Sequence, residues 1–177
     1  MRNVAYLAKS NEWLWAVPWR AGVVRFATNW LIVLVSIAAL ALVFTDPVTR
    51  GFFWEELTDI IFALVMARLV LTEGIRMFWK RQRPFTVLPI QVLFLPKGRH
   101  AFPSGHVAFF SALGFALLPI LPLAGWMVLG ATVLNGAARV VGGMHWASDV
   151  VAAFVVGYLG YYLAIEILSY LPPGTPA

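Results

Sequence analysis

Long apolar runs separated by short polar breaks set the architecture of this 177-residue chain. The first runs from Val23 to Phe44 and is closed by Asp46 and Pro47, residues that stop a helix and favour a turn. Phe52 to Glu73 is a second, interrupted by Glu55, Glu56, Asp59 and Arg68. Charges inside a span must face partners, headgroups or an aqueous cavity, so this segment reads as a bundle helix rather than a lipid-bathed one. From Pro84 to Pro103 the chain stays apolar, but Pro84, Pro89, Pro96 and Pro103 forbid a continuous helix, which leaves an interfacial or re-entrant loop. Ser104–Leu121, Gly125–Val141 and Val150–Leu171 complete the set, with a tight connection over Leu121 to Gly125.

A helix needs about 20 residues to cross the hydrocarbon core, and each of these stretches approaches that length. At the N-terminus, Trp13, Trp15 and Trp19 beside Lys9, Glu12 and Arg20 mark an aromatic-belt helix at the membrane surface, or a ragged tail. The expectation is an all-α polytopic membrane bundle with five to six transmembrane helices and an interfacial N-terminal segment, a single domain over 1–177. A sixth span hidden near the N-terminus would leave the later topology unchanged. There is no internal repeat, and Pro172 to Ala177 reads as a short frayed end.

Composition agrees, since 61% hydrophobic residues, 12% charged residues and a mean hydropathy of +0.82 are incompatible with a water-facing globular surface. The absence of cysteine excludes disulfides and thiolate metal ligands. Met1 to Arg20 lacks the apolar centre and cleavage site of a secretory signal, so the segment is expected to stay in the mature protein.

Walking this topology gathers the polar residues on one membrane face. The second span exits toward Arg76, Lys80, Arg81 and Arg83; the third begins at Ser104; the fourth exits at Arg139, with His145 and Asp149 following. The opposite connections, Thr45 to Gly51 and Leu121 to Gly125, carry only Asp46 and Arg50 as charges.

Guanidinium offers a fixed fork of donors that matches phosphate oxygens and stays charged when desolvated, so Arg76, Arg83 and Arg139 together describe an anion site. Lys80 and Arg81 are equally suited to anchoring helix ends to headgroups. Anchoring explains Arg139 less well, because it follows Gly136, Ala137 and Ala138 in an apolar helix. Ser104 stands where a helix N-cap belongs, and Gly105 lets a ligand approach the backbone; taken alone, capping is the commoner reason for such a pair. His145 and Asp149 lie four apart, so on a helix the carboxylate could accept from one imidazole nitrogen while the other attacks. Alone that pair is as compatible with a structural bond. With His106 and the arginines added, the set is complete for phosphoryl transfer without a metal.

Over Arg76 to Gly157 the chain resembles the membrane-bound type 2 phosphatidic-acid phosphatase superfamily. The family's motifs, Lys-x6-Arg-Pro, Pro-Ser-Gly-His and Ser-Arg-x5-His-x3-Asp, appear here as Arg76-x6-Arg83-Pro84, Pro103-Ser104-Gly105-His106 and Ala138-Arg139-x5-His145-x3-Asp149. Arginine replaces the usual lysine at Arg76, and alanine the usual serine at Ala138; neither change removes a group that makes or breaks bonds. The resemblance implies double displacement. His145 attacks phosphorus, Asp149 orients it, and His106 protonates the leaving oxygen and then activates water. Arg76, Arg83, Arg139, the Ser104 hydroxyl and the Gly105 amide bind the phosphoryl oxygens. No metal or other cofactor is expected, because arginine charge takes the metal's place.

The expected partner is a lipid phosphate or diphosphate within membrane lipids, and no nucleic acid. The apolar Pro84–Pro103 loop can lie against acyl or prenyl chains, and a net charge of +5 suits an anionic headgroup. By resemblance to bacterial members, undecaprenyl diphosphate ranks first, ahead of phosphatidylglycerophosphate, phosphatidate and lipid A. A different class, a non-enzymatic anion or lipid-phosphate carrier, could use the same arginines without the paired histidine. The expected location is the inner cell membrane. Basic residues on the catalytic face would turn it toward the cytoplasm by the positive-inside rule. Because charges serving a substrate are not free topological signals, an outward-facing site is favoured.

Overall fold

The structure, a computed structural model, describes residues 2–47, 53–95, 98 and 100–170, and the regular structure among them is helical. α1 is Arg2–Trp15 and α2 is Pro18–Thr45. α3 covers residues 53–78, α4 is the single turn Pro84–Val87, and α5 is Gly105–Leu117. α6 is Pro122–Val141 and α7 is Ala147–Ser169. The expected Phe52 start of the second span, the Leu171 end of the last, the frayed terminus, and Arg50, Pro96, Lys97 and Arg99 lie outside the described residues.

Among the described residues, α2, α6 and α7 are long and apolar enough to cross a membrane, and α5 is a shorter apolar helix of 13 residues. α5 is the hub of the bundle, packed by α3, α6 and α7, while α2 lies against α6. Its Val107, Ala108, Ser111, Ala112 and Leu117 are fully buried, so protein takes the place of lipid around it. Small residues allow these approaches, as expected where helix association depends on close packing rather than on escape from water. On α7, Ala153 and Gly157, then Gly160 and Ala164, recur at four-residue spacing. A Cβ on Gly157 would come within 2.9 Å of the Ala108 carbonyl, and one on Gly160 within 2.7 Å of the Ala67 backbone.

Among the described residues, two turns of π-helix interrupt otherwise regular helices, Ala27–Leu31 in α2 and Met66–Leu71 in α3. Each wide turn leaves carbonyls free of the ordinary ladder, and such turns cluster at functional positions. Boundaries also differ from expectation in informative ways. α3 continues past Glu73 to residue 78, because Glu73 is neutralised by arginines of its own helix. α6 starts at Pro122 rather than Gly125, since proline suits the first helical position, where no amide donor is required.

The proline-rich connection is one helical turn followed by irregular chain, as its prolines dictate. α1 is a helix, but its apolar stripe turns onto the protein: Leu7 and Leu14 are buried. Leu14 joins Ala21, Val24, Leu93 and Ala138 in one cluster. Asn11 clasps the connection in both directions, its Nδ2 donating to the Gln91 carbonyl at 2.6 Å and its Oδ1 accepting from the Gln91 amide at 3.0 Å. This clasp puts α1 on the same face as the connection.

Candidate active site

Every segment singled out for its polar residues arrives at one end of the bundle, where a cavity of about 390 Å³ opens. Arg68 and Arg76 from α3, Arg83 and Gly98 from the connection, Gly105 and His106 from α5, Arg139 from α6 and His145 line it, together with Asn29, Phe94 and Leu95. Of the residues expected in the site, Ser104 and Asp149 stand just behind this lining, fully buried.

His145 sits in the short turn between α6 and α7. Gly143 makes that turn possible with φ of +74°, a left-handed conformation that side chains disfavour. The backbone amides of Met144 and His145 both donate to the Arg139 carbonyl, at 3.0 and 3.3 Å, so the histidine is fixed to the helix that carries Arg139. Its Nδ1 lies 2.9 Å from the Ala101 carbonyl. A carbonyl can only accept, so Nδ1 carries the hydrogen and Nε2 holds the lone pair. That lone pair faces Arg83 Nη1 at 3.2 Å. Asp149 Oδ2 is 3.6 Å from Nδ1, an ion-pair rather than a hydrogen-bond separation. The Ala101 carbonyl therefore orients the ring directly, with the carboxylate behind it. Burial above all holds the His145 pKa below the ordinary imidazole value; the Arg83 and Arg139 charges push the same way, while Asp149 opposes them.

Asp149 is itself well engaged. Its Oδ2 accepts from the Trp146 amide at 2.8 Å at the start of α7, and its Oδ1 from Arg81 at 2.8 Å. Arg81 also donates to Ser148 Oγ at 2.7 Å and lies over the Trp146 ring, 5.3 Å from its centroid. Anchoring to headgroups was an equally open reading of Arg81; its contacts here are with the protein.

Arg83 and Arg139 are held by carbonyls and amides, which leaves their charge available to an anion. Arg83 donates from Nε to the Gly98 carbonyl and from Nη1 to the Met144 carbonyl, both at 3.0 Å. Arg139 Nε donates to Asn135 Oδ1 at 2.9 Å, and its Nη2 to the Thr28 carbonyl at 3.2 Å. Asn135 in turn donates to the Ala27 and Thr28 carbonyls at 3.0 and 2.7 Å. The first π-turn thus presents the backbone acceptors that set Arg139. Arg76 Nη2 donates to the Pro103 carbonyl at 3.0 Å, tying α3 to the start of α5. Glu73 Oε1 accepts from Arg76 at 2.9 Å and also from Arg68.

At that helix start Ser104 occupies the N-cap position without making a side-chain cap bond, and its buried hydroxyl has no partner among the described residues. Capping therefore does not account for it. A buried hydroxyl without a partner costs free energy unless a ligand completes it. Gly105 is required for space: a Cβ there would lie 3.1 Å from Arg68 Nε and 3.2 Å from Arg76 Nη2. His106 follows, exposed into the cavity.

The residues that the motifs left out are Arg68, Arg81, Asn135, Asn29 and the Ala101 carbonyl. Asn135 carried a signal, a polar side chain four residues before Arg139 on the same helix face. Arg68 was visible as a charge within an apolar stretch, but nothing in its spacing assigned it to the cavity.

Known proteins resemble this chain in sequence and in fold. An undecaprenyl-diphosphatase of Sulfolobus acidocaldarius is 30% identical over 140 residues, covering 77% of this chain; the match spans 64% of that protein's length. The crystal structure of the first transmembrane PAP2 type phosphatidylglycerolphosphate phosphatase from Bacillus subtilis superposes with a TM-score of 0.63 at 21% identity, covering 98% of this chain and 88% of that one. Aquifex aeolicus LpxE superposes with a TM-score of 0.58 at 22% identity, over 82% of this chain and 93% of that one. Both superpositions extend the likeness in fold beyond the motif region. Since the PAP2 superfamily model matches residues 56–172, which include His106, His145 and all four cavity arginines, the chain belongs to the PAP2 superfamily.

Proposed function

We propose that this protein is a metal-independent membrane lipid phosphatase that removes the terminal phosphate of an anionic lipid through a phosphohistidine intermediate, with undecaprenyl diphosphate as the favoured substrate. The observation that carries the reading is the unprotonated Nε2 of His145, fixed by the Ala101 carbonyl and facing a cavity lined by four arginines and a second histidine. A neutral imidazole nitrogen with its lone pair presented to bound phosphate is a nucleophile that needs no prior proton transfer.

In the proposed reaction, Arg76, Arg83, Arg139, the Ser104 hydroxyl and the Gly105 amide grip the terminal phosphoryl group. His145 Nε2 attacks phosphorus, and Asp149 stabilises the imidazolium. His106 protonates the departing oxygen, then takes a proton from the water that releases phosphate. The carboxylates nearest the site, Glu73 and Asp149, are engaged by arginines, and guanidiniums line the cavity; this donor set favours an anion over a cation. Phe94 and Leu95 give the cavity an apolar edge suited to a lipid chain. The undecaprenyl-diphosphatase relative supports the choice of headgroup.

The proposal includes five spans, with α3 and α5 sheltered by α2, α6 and α7, or six if α1 inserts. It places the site at the outer surface of the inner membrane. The test is phosphate release by purified protein in detergent with chelator present. Undecaprenyl diphosphate, phosphatidylglycerophosphate, phosphatidate and lipid A are offered in parallel, each beside a His145→Ala control. Chelator-resistant release that disappears in the variant is expected, fastest with the diphosphate. Phosphate binding without release from any of the four would indicate a carrier instead.

A further inference from the structure

Three arginines suffice to grip one phosphoryl group, yet the cavity holds four. The fourth, Arg68, lies outside the motif set and is delivered by the π-turn Met66–Leu71. Its position is informative. Its Nε faces the Gly105 backbone, 3.1 Å from where a Cβ would stand, immediately before His106. Arg83, in contrast, lies 3.2 Å from His145 Nε2. Arg68 therefore belongs to the side of the cavity from which the leaving oxygen is protonated, not the side from which phosphorus is attacked.

We propose that Arg68 holds the second phosphate of a lipid diphosphate, the one that departs with the lipid. This rests on the phosphatase reading above and adds to it a subsite and a reason for selectivity. With a monophosphate substrate the leaving group is an uncharged alcohol and Arg68 has nothing to bind. With a diphosphate, the bond from His145 Nε2 to the terminal phosphorus forms as the bond from that phosphorus to the bridging oxygen breaks. The electron pair remains on that oxygen, which takes a proton from His106 and leaves as part of the lipid monophosphate. Arg68 stands where that group's negative charge is located before and after cleavage.

Charge supports the same assignment. Four guanidiniums less the Glu73 carboxylate shared by Arg68 and Arg76 leave a surplus of three. A phosphate monoester brings about two negative charges, and a diphosphate about three. Arg68 is also reachable: its side chain is 35% exposed, whereas the Arg83 and Arg139 residues are each 5% exposed.

The experiment compares wild type, Arg68→Gln and Arg68→Lys as full chains in detergent. It measures kcat/KM on a prenyl diphosphate and on the same prenyl monophosphate, and calorimetric affinity for inorganic diphosphate and phosphate. The expected result is a loss of roughly ten- to hundredfold on the diphosphate in Arg68→Gln, the range of a lost charge-assisted hydrogen bond. The loss on the monophosphate should be at least tenfold smaller, with Arg68→Lys intermediate. Inorganic diphosphate should lose its affinity advantage over phosphate in the same order. Equal losses on both lipids, or an unchanged diphosphate advantage, would overturn the subsite. If wild type cleaved neither lipid while its diphosphate advantage still depended on Arg68, the subsite would stand and the phosphatase reading would fall. Should Arg68→Gln not fold, the lysine variant alone decides, because it keeps charge while losing the guanidinium fork.

Discussion

The two walls of the cavity are built to different standards. The wall of His145 is buried throughout: Arg83 and Arg139 are 5% exposed, His145 is 3% exposed, and Asp149 is inaccessible. Each of its groups is fixed by at least two hydrogen bonds, several donated to backbone carbonyls that cannot rotate away. The wall of His106 is open. Arg68 and Arg76 share one carboxylate, Glu73, whose side chain is 44% exposed. Attack on phosphorus demands an aligned lone pair, and small displacements are costly there. Receiving a leaving group demands charge and access, which partly exposed side chains supply while tolerating variation in the lipid.

If the walls divide labour in this way, substitutions should rank accordingly. His145→Ala should lower phosphate release by about 10^4-fold or more, as removal of a nucleophile does, and abolish any trapped phosphoenzyme in rapid-quench labelling. Asn135→Leu removes the Oδ1 acceptor of Arg139 while preserving approximate volume. It should reduce kcat by about 10^2-fold with little change in KM, in protein whose melting in detergent confirms folding. A loss confined to KM would show that Arg139 needs no such fixing.

Arg81→Ala sharpens the contrast through pH. His145 must be neutral to attack, and its depressed pKa keeps it so; activity should fall only as pH drops through that value, below the ordinary 6.5. Without Arg81 the Asp149 charge acts on the imidazole uncompensated and raises its pKa. The acid limb of the kcat profile should therefore move to higher pH, with a fall of about twofold at its new midpoint that grows toward about tenfold below the original one for a shift of about one unit. An unmoved limb would mean that Arg81 serves α7 alone. Smallest should be Glu73→Gln on the open wall. Partly exposed ion pairs are worth about 0.2–1 kcal/mol, so kcat/KM should change by only about two- to fivefold. A loss as large as that of Asn135→Leu would erase the distinction between the walls.

Much of the fold was legible in hydropathy, because helices long enough to cross a bilayer leave runs that few other structures produce. The proline-rich connection was legible for the opposite reason, since Pro84 and Pro89 remove donors and restrict their neighbours. Motif spacing brought His106, Arg139 and His145 to one end of the bundle. What escaped is carried by the backbone. A π-turn adds one residue to a helical loop and leaves no mark in hydropathy, so the acceptors at Ala27 and Thr28 and the aim of Arg68 were invisible. The Ala101 carbonyl escaped likewise, because an alanine side chain says nothing about where its carbonyl points. Arg81 was ambiguous because juxtamembrane arginines serve headgroups and carboxylates alike.

The clasp between Asn11 and Gln91 joins residues 80 positions apart, across both α2 and α3. During synthesis α1 emerges long before its partner exists. Its seat is complete only once α2, α3 and the proline-rich connection have been made. The clasp is thus the last contact of α1 to form, and a chain in which α3 is misplaced does not bring Gln91 to Asn11. Leu14 would then lose Leu93 from the cluster it shares with Ala21, Val24 and Ala138.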